Sequence, residues 1–362
     1  MARVLVVGAG VTGAALARLL HDAKTSTKYA GQVLVWEKSN ITGGRMMARS
    51  FRKNRHVHVD FGAQYLTKFK SANDDIRELL VANGKLVNFE DSRIAQESSR
   101  APSPDAEHTV SPDNLGFRSM VDFLLSDATV QVERGVERFD ITSDGQVTVY
   151  STDGHVETVD DLVLTCPIPN VLSILEKSHF QPAPEVLAAL QAVQYSQRFA
   201  VAYLFDQSIA KSVQDLQWTS KYVGAEEDEV VRFLCWDTLK KGTSTQDGYA
   251  LLVHTGVPFG LQHMDAKDKN DEILATITRS VQKLLPFLPD PVDTTLHRWR
   301  VSQTFKPFHD PASPSSSVPA LVLHASPRII LAGDAFLGSG FDNCLLSAKH
   351  TASILLGPSS GL

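Results

Sequence analysis

The sequence predicts an α/β fold in two parts: a Rossmann-like domain built on a parallel sheet, and a second domain of antiparallel sheet plus helices. Three observations predict it. The chain opens on a short apolar run, Val4 to Val7, followed at once by Gly8, Gly10 and Gly13 in G-x-G-x-x-G spacing and by a helix-forming run from Ala14 to Leu20. It closes on a second buried strand, Ile329 to Ala332, that runs into Gly333–Asp334 and then a helix from Leu345 to Leu356. Between these lie strands rich in aromatic and branched residues at 195–205, 230–236, 249–255 and 294–305.

The first stretch carries the most chemistry. A strand, a Gly-rich turn and a helix in immediate succession are the context that makes the spacing a dinucleotide fingerprint. Gly8 permits the tight turn, Gly10 lets a pyrophosphate approach the backbone, and Gly13 lets the helix pack close to the strand. The helix N-terminus offers free N–H groups and partial positive charge to phosphates, and Thr12 adds a hydroxyl. A second strand, Gln32 to Trp36, ends at Glu37, which is 24 residues past Gly13. That spacing is close to the ~20 expected for an acid that bonds a ribose hydroxyl pair.

A chain of 362 residues is long for one core and is expected to split into two domains. Its 43% hydrophobic and 21% charged residues are ordinary for a globular protein, and the net charge of −6 argues against nucleic acid as a partner. Cys166, Cys235 and Cys344 are far apart and form no C-x-x-C pair, so neither a disulfide framework nor a metal site is expected. No signal-peptide pattern and no apolar run of membrane-spanning length are visible, so a soluble, cytoplasmic protein is expected. Nothing in the sequence demands an interface, and a monomer is expected.

A second Gly-rich turn, Gly43–Gly44–Arg45, follows the second strand. A flavin dinucleotide is long enough to need a second backbone approach of this kind, and Arg45 suits a pyrophosphate. Alternatively this is a surface loop with a solvated Arg. Asp60 to Tyr65 then reads as a strand end, a turn at Gly62, and the pair Gln64 and Tyr65, fit for a wall beside a flat heteroaromatic ring or for an ordinary strand with Tyr65 in its core. A helix is expected over 73–83, a Ser/Pro-rich solvated loop over 91–114, and a helix over 114–125. Strands follow at 129–133, 136–142, 146–150 and 155–158, with Val136 placed to meet an adenine through its backbone. The buried strand 160–169 is closed by Pro167 and Pro169, where the chain is expected to cross to the second domain. The expected boundaries are therefore 1–70 with 115–170 and 325–362 for the cofactor domain, 71–114 for a helix and loop, and 171–324 for the substrate domain.

At the chain's end, Asp334 is positioned to bond a ribityl hydroxyl, or else to cap a helix. N–H groups of Phe341, Asp342 and Asn343 would face the pyrimidine side of a flavin and stabilise negative charge there. On the substrate side, Tyr65, Arg232, Trp236, His254, Trp299, Arg300 and Gln303 are candidates for a flat slot, each of them equally a residue type that packs into cores. Arg300, with apolar neighbours, is expected to be buried with a partner.

These motifs together resemble the amine-oxidase-like FAD flavoproteins. DFGAQYLT, LTCPIPNVL, LLVHTGVPFG, RWRVSQ and GFDNC narrow the resemblance to the renalase family over nearly the whole chain, the stretch around 92–110 excepted. The resemblance implies an amine-oxidase/p-hydroxybenzoate-hydroxylase-like arrangement, non-covalent FAD, and Thr12, Arg45, Gln64 and Tyr65 as flavin contacts. It implies oxidation of the 2- and 6-dihydro isomers of NAD(P)H, with O2 as acceptor and hydrogen peroxide as product. An amine or polyamine oxidase, or a flavin-binding interaction protein without activity, remain the alternatives.

Overall fold

The computed structural model describes residues 2–23, 29, 32–69, 75–90, 93–95, 106–313 and 317–357. The chain forms two compact units, Met1–Gly44 with Val121–Tyr195 and Gln303–Leu362, and Arg45–Met120 with Ser196–Ser302. The breaks thus fall elsewhere than the expected boundaries.

The first unit is built on a six-stranded sheet in the order Ala320–Ala325, Arg328–Ala332, Asp161–Leu164, Val4–Val7, Val33–Trp36, Thr129–Gln131. All neighbours pair in parallel except the first two, so an antiparallel edge closes one side. Val4–Val7 and Asp161–Leu164 are buried along their whole length, as strands covered on both faces must be. The helices Val11–Asp22 and Phe341–Leu356 pack on each other. A meander of Val136–Ile141, Val147–Ser151 and Val156–Val159 contributes Phe139, Val147 and Val149 to one core with Leu5, Leu162 and Ile329. Asp161 is a buried acid at the start of its strand. Arg328 meets it at 2.7 Å and also donates to the Ile354 and Leu355 carbonyls, tying down the last turn of the terminal helix.

Pro167 and Pro169 do not lead the chain out of this unit. Pro167 precedes the helix Ile168–Lys177, Pro169 sits in its first turn, and a second helix, Pro184–Gln191, follows before the unit ends at Tyr195. The terminal helix starts at Phe341, one turn before the expected Leu345. The expected strand 294–305 is two strands: Asp293–Trp299 belongs to the second unit, and Thr304–Lys306 pairs with Gln194–Tyr195 in the first. No Gly or Pro marks that break.

The second unit holds a six-stranded sheet ordered Asp293–Trp299, Arg198–Phe205, Tyr249–Thr255, Val231–Trp236, Ser220–Tyr222, Ile94–Ala95. It is antiparallel except for its last, parallel pair. One face carries Phe199, Val201, Tyr203, Leu234, Trp236, Leu251 and Val253 into a core with Ile273, Ile277 and Val281 of the helix Asn270–Leu284. The segment expected as a loop over 91–114 also contains Ala106–Val110, the central strand between Leu66–Phe69 and Val87–Phe89. Its inward residues, His108 and Val110, alternate with outward ones, a period hidden by the Ser/Pro-rich neighbourhood. Residues 91–92 and 96–105 of that segment, and 73–74 of the expected helix 73–83, lie outside the described residues. The helices seen are Asp75–Ala82 and Phe117–Leu124. Among the described residues no helix is long and apolar enough to cross a membrane, and no cluster of metal-ligating side chains occurs.

Candidate functional site

In the first unit the glycine fingerprint is a turn held from several sides. Gly8 has φ +108°, a value that L side chains rarely adopt, and a Cβ there would sit 2.8 Å from Thr165 Oγ1. A Cβ on Gly13 would sit 2.1 Å from the Gly8 carbonyl oxygen, so only glycine lets the helix Val11–Asp22 approach the turn. Gly10 differs: nothing lies within 4 Å of where its Cβ would be. The Gly43–Gly44 turn comes back onto this one. Gly43 N–H donates to the Ala9 carbonyl at 2.8 Å, and a Cβ on Gly44 would lie 3.4 Å from Gly10 Cα. Two glycine turns meeting around open space, at the N-terminus of a helix, fit the phosphates of a dinucleotide.

Glu37 is buried, with Oε2 accepting from Ala9 N–H at 3.0 Å and Oε1 from Ser39 N–H at 2.8 Å. Its carboxylate therefore braces the turn and keeps lone pairs beyond these two bonds. Thr12 is buried in the first helical turn, and Val136 is half-buried at the start of the meander. At the other end of the chain, Gly333 has φ +119° and its N–H donates to Ser347 Oγ at 2.8 Å. The buried Asp334 carboxylate accepts from Thr304 Oγ1 at 2.7 Å and Ser339 Oγ at 2.5 Å. The helix Phe341–Leu356 begins with Phe341, Asp342 and Asn343, and Asn343 Nδ2 donates to the Leu337 carbonyl at 2.6 Å.

The second unit supplies a different kind of surface. Residues opposite one another on paired strands share a face. Register therefore puts Arg198, Ala200, Tyr222, Phe233, His254, His297 and Trp299 together on the face away from the apolar core. Phe61 organises part of it. Its carbonyl accepts His254 Nε2–H and Trp299 Nε1–H, each at 2.9 Å. A carbonyl only accepts, so His254 carries its proton on Nε2. Tyr65 and Tyr222 join through their hydroxyls at 2.6 Å. Gln64 is buried, its amide donating to the Asp60 carbonyl at 2.7 Å.

Beneath the Asp60–Tyr65 stretch lies a buried ionic quartet. Lys240 Nζ is 2.8 Å from Asp60 and 2.7 Å from Asp237, and Lys241 Nζ is 2.7 Å from Asp237. Burial alone would raise the Asp237 carboxyl, but the Lys240 and Lys241 charges outweigh it and hold it below the usual carboxylate range. Burial would likewise lower Lys240, yet Asp237 and Asp60 leave it raised. Gly116 is required beside this quartet, because a Cβ there would lie 1.9 Å from Asp60 Oδ1.

Two expected slot residues are corrected. Trp236 is fully buried and faces the apolar core, one strand position out of phase with the polar face. Arg300 is exposed, just past the strand end at Trp299, where it pairs with Asp265 at 2.7 Å and donates to the Met264 carbonyl. Arg232 sits at a bulge between Val231 and Phe233 and donates to the Val223 carbonyl. Arg45 donates to the Ser302 carbonyl at 3.3 Å, and Gln303 is an exposed residue of the first unit. Sequence reasoning missed Arg198, Tyr222, Phe233, His297 and the quartet. The period-two alternation of 198–205 and the spacing of Asp237, Lys240 and Lys241 on one helical turn were the available signals.

His254 and His297 are both pushed down to about 4, mainly by burial. An unfolded chain titrates them near 6.5. As pH falls from 6.5 towards 4, the unfolded chain binds protons that the folded state refuses, so stability falls through that window and levels off below it. At about 1.4 kcal/mol per unit, His254 accounts for up to about 3 kcal/mol of that loss. Urea unfolding of His254→Gln is expected to show a smaller loss between about pH 7 and about pH 5 than the unsubstituted chain. Equal losses in both would contradict the assignment.

The parallel sheet with its paired glycine turns defines a Rossmann-like, nucleotide-binding class of fold. Comparison narrows this. The model of the NAD(P)-binding Rossmann-like domain matches residues 6–82, and that of the flavin containing amine oxidoreductases matches residues 90–356. Renalase from Mus musculus is 30% identical over 361 residues, covering 98% of this chain and 99% of its own. The crystal structure of an Exiguobacterium protein named for protoporphyrinogen oxidase superposes with a TM-score of 0.66 at 15% identity, covering 98% of both chains, which speaks to the fold alone. The chain belongs to the flavin-containing amine oxidoreductase family and is a renalase-like, flavin-dependent oxidoreductase.

Proposed function

We propose that the chain is an oxidase of renalase type that oxidises the 2- and 6-dihydro isomers of NAD(P)H. The observation that carries this reading is the full-length likeness to renalase. Non-covalent FAD, when bound, accepts hydride at N5 and returns the electrons to O2 as hydrogen peroxide. Gly10 and Gly44 leave room for its pyrophosphate, Thr12 adds a hydroxyl, and Gly8 and Gly13 shape the turn that carries them. Glu37 serves a ribose, Val136 the adenine, and Asp334 the ribityl chain. The N–H groups at Phe341, Asp342 and Asn343 favour negative charge on the ring. Burial raises the Cys235 thiol to about 11, which suits a cysteine with no part in covalent attachment.

Hydride transfer asks for position rather than for an acid–base pair. The aromatic face of Tyr65, Tyr222, Phe233 and Trp299 with a neutral His254 suits a planar, uncharged dihydronicotinamide. The reading as an amine oxidase has a buried lysine available in Lys240, but its charge is committed to Asp60 and Asp237. Peroxide release from an equilibrated NADH preparation containing the isomers, and none from polyamines, is the expected outcome. Release with polyamines alone would move the chain to the amine oxidases.

A further inference from the structure

We infer that Thr165 is a positioning residue of the cofactor site, whose hydroxyl locks the glycine turn in its binding shape. Thr165 directly follows the strand Asp161–Leu164, beside the turn, and had no role in the sequence reading. Its Oγ1 donates to the Val7 carbonyl at 2.9 Å and reaches the Gly8 carbonyl at 3.2 Å. The one hydroxyl proton is shared between the Val7 and Gly8 carbonyls, so the Gly8–Ala9 peptide is braced at its carbonyl by the longer branch and at its N–H by Glu37 Oε2 at 3.0 Å. The next peptide is held too, since the Ala9 carbonyl accepts from Gly43 N–H. Thr165 also reaches the glycine turn near the chain's end: a Cβ on Gly333 would lie 3.4 Å from its carbonyl oxygen. One residue thus stands between Gly8 and Gly333, at the carboxyl ends of neighbouring strands, where open α/β sheets take their ligands.

The inference rests on the reading that this turn binds FAD. It predicts that removing the hydroxyl frees the Gly8–Ala9 peptide to rotate and weakens the cofactor more than it weakens the fold. One hydrogen bond of ~1 kcal/mol corresponds to roughly a 5- to 10-fold rise in the FAD dissociation constant. The test is a fluorescence titration of the flavin-stripped full chain with FAD, beside the thermal midpoint of the same flavin-free chain. Thr165→Val is expected to bind about 5- to 10-fold more weakly, and Thr165→Ser, which keeps the hydroxyl, within about twofold of the unsubstituted chain. If Thr165→Val does not fold, Thr165→Ala against Thr165→Ser makes the same comparison. A lowered midpoint with unchanged FAD affinity would make Thr165 merely structural and overturn the inference. If the unsubstituted chain takes up no FAD, the flavin reading itself fails, a result distinct from equal affinities.

Discussion

Asp237→Ala is expected to destabilise the protein by about 3–5 kcal/mol, the usual cost of removing one partner from a buried ion pair. Lys240 and Lys241 are 0% and 1% exposed at their side chains, and Asp237 is the acid closest to both. Without it two ammonium groups remain in a dry interior with Asp60 as their acid, 2.8 Å from Lys240 and 3.8 Å from Lys241. The loss should appear in urea as a lower midpoint with unchanged slope, since the native fold exposes no new surface. It should also loosen the Asp60–Tyr65 stretch, because Lys240 and Lys241 hold Asp60 and the His58 carbonyl. A change below about 1 kcal/mol would mean that water already reaches these charges.

The second large effect separates two glycines three positions apart. Gly10→Ala is expected to leave the flavin-free chain within about 1 kcal/mol of its original stability, the scale of a helix N-cap substitution, because open space lies where the methyl goes. On the function proposed above the same change should abolish flavin retention, since the methyl would take the space proposed for the cofactor's phosphates. Gly13→Ala acts the other way round. Its methyl would meet the Gly8 carbonyl at 2.1 Å, backbone against backbone, so the flavin-free chain itself loses about 1–3 kcal/mol or more. Thermal midpoints of the flavin-free variants, beside the flavin absorbance they retain on purification, check both. Retained flavin in Gly10→Ala would remove the turn from the binding site.

Much of the first unit was legible because its signals are local. Strand, glycine turn and helix follow one another within residues 4–22, and the terminal strand, acid and helix do so within 328–356. The polar face of the second sheet was less so, because it depends on strand parity and strand ends. His254 and Trp299 land on that face. Trp236, an aromatic on an equally plain strand, lands on the other by one position, and Arg300 falls just outside because its strand ends at Trp299. The quartet joins Asp60 to residues 177 or more positions away, a pairing no local pattern carries. Thr165 was passed over because a threonine at a strand end is ordinary until the Val7 and Gly8 carbonyls are seen beside it.

On the function proposed above, this flavoprotein takes hydride from a dihydronicotinamide isomer and its flavin bleaches. An anaerobic stopped-flow mix of the purified yellow protein with 6-dihydro-NAD, followed at the flavin absorbance, tests it most directly. Fast bleaching, reversed on admitting air with release of peroxide, is the predicted result. Flavin that stays oxidised with this isomer but bleaches with a polyamine would contradict the account.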